Sequence, residues 1–306
     1  MIVERGSHER SLIASTTKIM TGLIIAESCA LSDEVQIPDS AIGVEGSSLY
    51  LQQGETRTVE ELLYGMMLHS GNDAAAALAI HCAGSTDAFV ASMNKKAQDI
   101  GLHDTSFGNP HGLDSEQNYS TAFDLAVLIM QAMKNDLFRT VVSTQRISFG
   151  SRTYTNHNKL LWQYVGSIGG KTGYTRAAGR ILVNVVERDG RSLIAVTINA
   201  PDDWNDHRIL YDYGFERFRN KQICSAGQVM ARIPTIGYGS DYCSVIADQD
   251  INCLASDEEF VEYRLLLPDF VYLPIYDEYA GELEVYVDRV RILSVPLKWE
   301  NLECKR

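Results

Sequence analysis

The stretch Ser15-Thr16-Thr17-Lys18 has the pattern SxxK, and two further short motifs follow it along this 306-residue chain. They are Ser70-Gly71-Asn72, with the pattern SxN, and Lys171-Thr172-Gly173, or KTG. From average residue usage, SxxK or SxN alone occurs by chance about once in such a chain, and KTG in roughly one chain in ten or twenty. The occurrence of all three in this order therefore indicates one shared site.

The first motif pairs a nucleophile with a base. Three residues apart on a helix, Ser15 and Lys18 lie on one face, so their side chains can meet. A serine attacks only when a base takes its proton, and a lysine is such a base only when burial and nearby positive charge lower its pKa. Lys171 would supply that charge from within the same cleft. At the first turn of the helix, the N–H of Ser15 can donate to an oxyanion, with the Tyr174 N–H as the second donor.

The other two motifs supply polar groups for an acyl-transfer reaction. Ser70 can relay a proton between either lysine and the leaving group, and Asn72 can hold a substrate amide. Lys171 and the Thr172 hydroxyl suit a substrate carboxylate, for which lysine is a point-charge partner. Taken singly, each motif is more often an exposed helix pair, a helix cap or a solvated loop. Their joint arrangement is what favours catalysis.

The composition is that of a folded globular chain, with 45% hydrophobic and 22% charged residues. The net charge of −13 argues against a nucleic-acid partner, because phosphate binding needs a basic surface. No segment approaches the roughly 18 apolar residues of a bilayer span, and residues 1–14 do not form a secretory signal. Two expectations stay open: a signal is missing from this sequence, or the chain acts in the cytoplasm.

Cysteines and histidines are scattered along the chain without the spacing of metal ligands. We therefore expect no metal site and no other cofactor. The expected state of the cysteines is that of free, mostly buried thiols. The alternative is a disulfide in the carboxy-terminal third, although the sequence does not show which cysteines would pair. The candidates are Cys224, Cys243, Cys253 and Cys304.

The periodicity predicts where the first two motifs lie. Residues 15–28 have apolar positions at helical spacing. The capping box Thr58-Val59-Glu60-Glu61 predicts the start of a helix that ends at Ser70-Gly71-Asn72. An alanine-rich helix then runs from Asp73 to near Gly84. The SxN motif is therefore expected on a tight connection between two helices, from which its side chains can project into a cleft.

Further along the chain the predicted elements change from helices to strands. Two more helices are expected over 86–100 and 121–134, and a third closes the first region over about 203–218. Segments 180–187 and 192–199 flank a turn and predict a hairpin, next to a strand that carries KTG.

The predicted fold class is α/β (α+β) in two domains. Residues 1–218 form a domain with a mostly antiparallel sheet packed against helices, and a helical region carries Ser70 and Asn72 across the cleft. Residues 219–306 contain alternating stretches and no convincing helix pattern, so they form a small all-β domain.

The chain resembles the penicillin-recognising serine acyltransferases, and within them the low-molecular-mass D-alanyl-D-alanine carboxypeptidases. The similarity covers roughly residues 12–218 and rests on more than the three motifs. The stretches that carry it are 14–21 (ASTTKIMT), 69–75 (HSGNDAA), 107–113 (FGNPHGL), 119–122 (YSTA) and 171–175 (KTGYT).

The resemblance implies a β-lactamase/transpeptidase-like fold and an acyl-enzyme on Ser15, formed by attack on the terminal D-Ala-D-Ala amide of a peptidoglycan stem. D-alanine leaves, and water releases the shortened peptide. The resemblance also implies inhibition by β-lactams, a role in cell-wall biogenesis and cell shape outside the cytoplasm, and a membrane surface as a further partner of the full-length protein. The implied catalytic residues are Ser15, Lys18, Ser70, Asn72 and Lys171; the implied substrate-binding residues are Thr172, Gly173, Tyr174, Thr175 and His157.

The chain departs from the family pattern at three points. Only fourteen residues precede Ser15, so a first strand that usually joins the central sheet is expected to be cut short. His157 stands where some members carry an arginine that helps to bind the substrate carboxylate, and we expect it to do so only weakly. The membrane-anchoring helix that often follows the β domain does not appear before Arg306.

Two other functions compete with the carboxypeptidase. A serine β-lactamase shares all three motifs, but its best-known class needs a glutamate between the second and third. The single glutamate there, Glu116, lacks the asparagine four places later, so β-lactamase activity is expected to be slow at best. The other alternative is a penicillin sensor or inactive relative that is acylated without turnover. No GxSxG, HExxH or GxxxxGK[ST] motif points elsewhere.

Overall fold

The computed structural model describes residues 1–237, 241–272 and 275–300. The chain falls into two units, Met1–Asp212 and Tyr213–Arg306. This division lies inside a helix, Asp203–Arg217, that the sequence predicts over about the same residues. The assignment of separate roles to residues 1–218 and 219–306 stays a prediction.

The motif-bearing helices of the first unit form where the sequence predicts them. A 3₁₀ turn over Ala14–Thr17 leads directly into α1, as expected for residues 15–28. Thr58 caps the second helix by accepting a hydrogen bond from the Glu61 N–H, at 3.1 Å. Gly84, with a φ of +79°, ends the third helix in the left-handed conformation that glycine adopts without strain. The described helices are α1 (Lys18–Ser28), α2 (Val59–Leu68), α3 (Asn72–Ala83), α4 (Thr86–Asp99), α5 (Ala122–Ala132), α6 (Asp136–Ser143), α7 (Leu160–Gln163) and α8 (Asp203–Arg217).

Helices α1 to α6 contribute buried side chains to one apolar core. The alanines at positions 74–77 and 79 of α3 are buried, and their small side chains allow α1 and α2 to pack closely against α3. Within the described residues, no single helix is both long and apolar enough to cross a membrane; α3 and α4 meet that measure only as a pair bent by 85°.

The strands of the first unit form one central sheet and three small pairs. The sheet has the antiparallel order β7-β8-β9, and Lys171 lies opposite Val183 in its register. The predicted hairpin of β8 and β9 is confirmed. Before the first motif, Ser11 and Leu12 form a two-residue strand, β1, which pairs with β4 and not with the central sheet. The strands are β1 (Ser11–Leu12), β2 (Glu34–Gln36), β3 (Thr56–Thr58), β4 (Tyr119–Ser120), β5 (Arg146–Phe149), β6 (Arg152–Thr155), β7 (Ser167–Thr175), β8 (Gly179–Arg188) and β9 (Arg191–Thr197).

The second unit is a β structure, as predicted. Six strands form a sheet in the order β14-β16-β17-β12-β11-β15, and β10 pairs separately with β13. Its own apolar core includes Val245, Leu283, Val285 and Leu297. The strands are β10 (Phe218–Cys224), β11 (Val229–Ile236), β12 (Tyr242–Ile246), β13 (Ile251–Ser256), β14 (Val261–Leu266), β15 (Val271–Tyr272), β16 (Tyr279–Val287) and β17 (Val290–Trp299).

The cysteines that the structure describes are free thiols. Cys224, Cys243 and Cys253 are buried, whereas Cys29 and Cys82 are half-buried. A pairing that involves Cys304 lies outside the described residues. Burial, together with a hydrogen bond to Cys82, raises the pKa of Cys29 to about 12, so this thiol is not a reactive thiolate.

A glycine substitution tests how tightly α6 is packed on the strand that carries KTG. Gly169 has a φ of +105°, and a Cβ there would overlap the Val142 carbonyl in the last turn of α6. We expect Gly169→Ala to lower the free energy of unfolding by more than about 2 kcal/mol, from backbone strain plus steric overlap. Urea unfolding measures the change.

The matched control is Gly43→Ala, because Gly43 also has a positive φ, +72°, but no atom lies within 4 Å of the place that a Cβ would occupy. Backbone strain alone should then cost about 1–2 kcal/mol. Equal losses in the two variants would contradict the close contact between α6 and β7.

Candidate active site

The first motif places its serine and lysine side by side. Ser15 lies in the 3₁₀ turn Ala14–Thr17, in which residues three apart are eclipsed, and Lys18 begins α1. The Lys18 Nζ lies 3.0 Å from Ser15 Oγ, 2.6 Å from Asn72 Oδ1 and 2.6 Å from the His111 carbonyl oxygen. Lys18 is fully buried. The fold therefore joins the first motif to the asparagine of the second.

The partners of Lys18 determine which group donates in the hydrogen bond between Lys18 Nζ and Ser15 Oγ. Burial, followed by the positive charge of Lys171, lowers the pKa of Lys18 well below its ordinary value, which favours the neutral amine. A neutral amine has two N–H groups and one lone pair. The Asn72 and His111 oxygens can only accept, so they take the two N–H groups. Ser15 is then the partner that can donate its O–H to the lone pair, which is the direction of proton transfer that a general base requires.

The third motif brings its lysine to the serine of the second. The Lys171 Nζ lies 3.1 Å from Ser70 Oγ and 3.0 Å from the Thr172 carbonyl oxygen. Burial lowers the pKa of Lys171 to about 7. Ser70 has a φ of +66°, a left-handed conformation that a serine adopts only under strain, and such strain is typical of functional sites. The structure thus places all five predicted catalytic residues in two hydrogen-bonded groups, linked through residues 70–72.

Strand β7 runs alongside the turn that carries the predicted nucleophile. A Cβ on Gly173 would lie 3.3 Å from the Ser15 nitrogen and 3.2 Å from the Ile13 oxygen, so the two backbones approach closely. Thr172 is half-buried, and Tyr174 directs an exposed side chain away from the core. The role of the Tyr174 N–H as an oxyanion donor stays a prediction.

Thr175 makes contacts that the sequence does not indicate. Its hydroxyl donates to Asp114 Oδ1 at 2.9 Å and accepts from the Ala178 N–H at 3.0 Å. The threonine hydroxyl is thereby engaged within the protein, where it ties the end of β7 to the segment after His111. Glu116, in the same segment, is exposed.

His157 stands near the second motif. The backbone N–H of His157 donates to the Leu68 carbonyl at 3.1 Å, and the His157 ring centroid lies 5.0 Å from that of His69. Desolvation by neighbouring residues, followed by the nearby charges of Lys171 and His69, lowers the pKa of His157 to about 4. The imidazole is therefore neutral at neutral pH, and a neutral ring is a weak ligand for a carboxylate.

A loop over residues 108–113 lies against the turn Ala14–Thr17, which carries the predicted nucleophile. Gly112 has a φ of +94°, and a Cβ there would overlap the Ala14 carbonyl, so only glycine allows this approach. The loop is tied to α1 by the Thr21 hydroxyl, which donates to the Pro110 carbonyl at 2.6 Å. Burial and the charge of Lys18 lower the pKa of His111 to about 4. This stretch is one of those that carry the resemblance to the carboxypeptidases, but no sequence signal predicts that its backbone contacts Ala14 and Lys18.

A second loop, residues 45–51, holds Asn72. The Asn72 Nδ2 donates to the Glu45 carbonyl at 2.5 Å, and the Asn72 N–H donates to the Ser47 carbonyl at 2.7 Å. A Cβ on Gly46 would lie 2.8 Å from the Asn72 Nδ2. No sequence motif predicts these contacts, because the groups that make them are backbone carbonyls.

The fold and the site together define a serine acyltransferase: a serine beside a buried lysine at the start of a helix, facing a strand that carries a second lysine. The chain belongs to the D-alanyl-D-alanine carboxypeptidase family, peptidase S11, whose family profile matches residues 1–202. It is thus a serine peptidase of that class, as the motifs predict, and its fold is the mixed α/β fold of penicillin-binding proteins.

Individual relatives agree with this assignment. The chain is 31% identical to the D-alanyl-D-alanine carboxypeptidase DacF of Bacillus subtilis over 291 residues, 90% of this chain and 75% of the relative. It is 35% identical to DacB2 of Mycobacterium tuberculosis over 214 residues, 66% and 73% of the two chains. Among solved structures, penicillin binding protein 5 from Haemophilus influenzae matches with a TM-score of 0.84 and 28% identity, over 98% of this chain and 92% of that one.

The burial of Lys171 predicts a pH dependence of stability. The folded-state pKa of about 7 lies below the ordinary 10.5, so the unfolded chain binds more protons between these values. The free energy of unfolding should therefore rise with pH from about 7 to 10, by up to about 1.4 kcal/mol per pH unit for this group. Below about pH 7 its contribution no longer changes. Lys171→Met should remove this part of the slope in urea unfolding.

Lys95→Met is the control, because that lysine is exposed on α4. Its slope of stability against pH should match that of the unaltered protein. If Lys171→Met kept the same slope as this control, the buried, weakly basic state of Lys171 would be refuted.

Proposed function

We propose that this protein removes the terminal D-alanine from peptidoglycan stem peptides ending in D-Ala-D-Ala, through an acyl-enzyme on Ser15. The observation that carries the proposal is the fully buried Lys18, whose Nζ lies 3.0 Å from Ser15 Oγ and whose other two partners only accept hydrogen bonds. A buried amine that donates both of its N–H groups to such acceptors has its lone pair free to take the serine proton.

In the proposed reaction, Ser15 Oγ attacks the carbonyl of the penultimate D-alanine while Lys18 takes its proton. The resulting oxyanion accepts from the N–H groups of Ser15 and Tyr174. The C–N bond then breaks as Lys18 gives up that proton, which Ser70 relays to the leaving amine of D-alanine. Lys18 next takes a proton from a water molecule whose oxygen attacks the ester carbonyl; the bond from that carbonyl carbon to Ser15 Oγ breaks, Ser15 Oγ receives the proton from Lys18, and the shortened peptide is released.

The remaining site residues bind and orient the substrate. Asn72, held by the loop of residues 45–51, donates or accepts at the substrate amide only after exchanging one of its present partners. Lys171 and the Thr172 hydroxyl bind the terminal carboxylate, whose negative charge raises the pKa of Lys171 and favours its protonated form. Gly173, Tyr174 and Thr175 form the edge along which the peptide lies, and His157 contributes weakly.

The proposed setting follows from the substrate. Peptidoglycan stems lie in the cell envelope, so we assign the activity outside the cytoplasm, in wall biogenesis. β-lactams, which carry a reactive amide beside a carboxylate, are the expected inhibitors. We assign catalysis to residues 1–218, and to residues 219–306 the role of a spacer or docking platform, with a membrane surface as a further partner.

Labelled penicillin tests the nucleophile. The protein should acquire one label, located on Ser15 by mass spectrometry, and Ser15→Ala should acquire none. The same protein should release D-alanine from a peptide that ends in Lys-D-Ala-D-Ala. Thr105→Ala, remote from the motif residues in sequence and bonded to Asp124, serves as a folded control that still accepts the label.

Each other outcome rejects a stated part of the proposal. A label on a different residue, or no label, would reject the nucleophile. Acylation without D-alanine release would favour the sensor, and rapid hydrolysis of penicillin would favour a β-lactamase.

A single substitution tests the weak contribution of His157. An arginine at this position would carry a permanent positive charge and could bind a carboxylate through two hydrogen bonds. We expect His157→Arg to lower the KM for the D-Ala-D-Ala peptide by about tenfold, with little change in kcat.

His157→Ala is the comparison, and its KM should stay within about twofold of the unaltered value because the neutral imidazole binds the carboxylate weakly. A large rise in KM for the alanine variant would contradict this interpretation.

A further inference from the structure

The carboxylate of Asp73 is buried next to the site but bonds to none of the motif side chains. Asp73 is 1% exposed and is the second residue of α3, directly after Asn72. It accepts hydrogen bonds from the Ser48 hydroxyl at 2.7 Å, the Leu49 N–H at 2.9 Å and the Leu51 N–H at 3.2 Å. These three donors belong to the loop of residues 45–51, and the carboxylate also accepts from the Ala74 N–H of α3 at 2.9 Å. A buried charge with this set of partners fixes the position of that loop.

The backbone of the loop is shaped to receive the carboxylate. Tyr50, between the two donating amides, has a φ of +56°, which turns the N–H groups of Leu49 and Leu51 toward the same point. Successive amides arranged in this way form a concave anion site. The Tyr50 side chain is 81% exposed, so packing of that side chain does not explain its strained backbone. The hydrogen bonds of the Leu49 and Leu51 amides to the Asp73 carboxylate explain the strained backbone of Tyr50.

A side chain of the same loop holds the turn that carries Ser70. Leu49 is 7% exposed, and its side chain occupies the space that Cβ atoms on Gly65 and Gly71 would fill. At Gly71 the distance from such a Cβ to Leu49 Cγ would be 2.7 Å. The leucine is thus wedged between α2 and the connection to α3. Larger residues at either glycine would expel it.

The loop in turn holds the asparagine of the site, through the carbonyls of Glu45 and Ser47 described above. Asn72 then presents its Oδ1 to the Lys18 Nζ at 2.6 Å. We propose that Asp73 is a positioning residue for catalysis: its carboxylate holds the loop of residues 45–51, and that loop holds Asn72 against Lys18. This inference rests on the proposed function of the site.

Asp73 also acts on Lys18 through its charge. The charged and titratable groups that face Lys18 are Lys171 on β7, His111 on the 108–113 loop and Asp73 on α3. Among them Asp73 is the negative one, and it opposes the lowering of the Lys18 pKa. Neutralising Asp73 should therefore lower that pKa further, and the loss of a well-placed Asn72 acceptor acts in the same direction.

Asp73→Asn is the test, and Asp124→Asn is its matched control. Asp124 is also buried near the start of a helix, and it accepts from the Asp104 N–H at 2.8 Å and the Thr105 hydroxyl at 2.7 Å, away from the motif side chains. Both variants should lose stability. Only Asp73→Asn should slow acylation of Ser15 by labelled penicillin, by about 10- to 100-fold, because a catalytic group is displaced.

Two readouts separate positioning from a merely structural role. In Asp73→Asn the acid limb of the pH profile of acylation should move to lower pH, and the amides of Leu49 and Leu51 should lose protection from hydrogen exchange. Asp124→Asn should change neither. An Asp73→Asn protein that is acylated within twofold of the unaltered rate, with an unmoved acid limb, overturns the proposal.

A second variant covers the case in which Asp73→Asn does not fold. Ser48→Ala removes one donor to the carboxylate without leaving a buried charge unpaired, and it should slow acylation by about threefold or more. A rate within experimental error of the unaltered protein overturns the proposal. Failure of the unaltered protein to be acylated at Ser15 would instead reject the proposed function, and hydrogen exchange at Leu49 and Leu51 would still report whether Asp73 holds the loop.

Discussion

The arrangement of the site depends on the burial of the Lys18 amino group, which has to find hydrogen-bond partners inside the protein. A lysine side chain carries several donors and no acceptor when charged, and burying it without partners is strongly unfavourable. Three separate segments supply those partners: the turn Ala14–Thr17, the start of α3 and the loop that contains His111. Because each segment must reach the same nitrogen, the packing of the surrounding helices and loops is determined together with the chemistry.

The same constraint explains where the backbone is strained. Ala14, beside Ser15, has a φ of +44°, and Ser70 has one of +66°. Neither residue is a glycine, so each conformation costs free energy that the surrounding contacts must offset. Close backbone approaches at Gly112 and Gly173, together with the wedged Leu49, provide those contacts. The strain thus lies at Ser70, the predicted proton relay, and directly before Ser15, the predicted nucleophile.

Local sequence signals predicted the elements whose ends are set by their own side chains. Thr58 caps α2 as the capping box indicates, and Gly84 ends α3. Local signals did not predict other elements, or predicted them only as a general change from helices to strands. Helix α6, capped by Asn135, lies in a stretch without a separate helix prediction, and the β5–β6 hairpin is anchored by Arg152, which donates to the Leu49 carbonyl and pairs with Glu55. Contacts of that kind join residues about a hundred positions apart, and no local pattern encodes them.

The order and spacing of SxxK, SxN and KTG predict which side chains carry the chemistry, because each motif constrains residue types. The sequence by itself also determined the class of fold, since periodicity distinguishes the helices of the first unit from the strands of the second. What the motifs do not reveal is that the fold buries Lys18 near the charge of Lys171, which lowers the pKa of Lys18, and that a loop orients Asn72. The groups that hold the Lys18 amine and Asn72 in place are backbone carbonyls of Glu45, Ser47 and His111, and the carboxylate of Asp73 acting through a loop. Every residue has a carbonyl, so its use becomes visible only when the chain is folded.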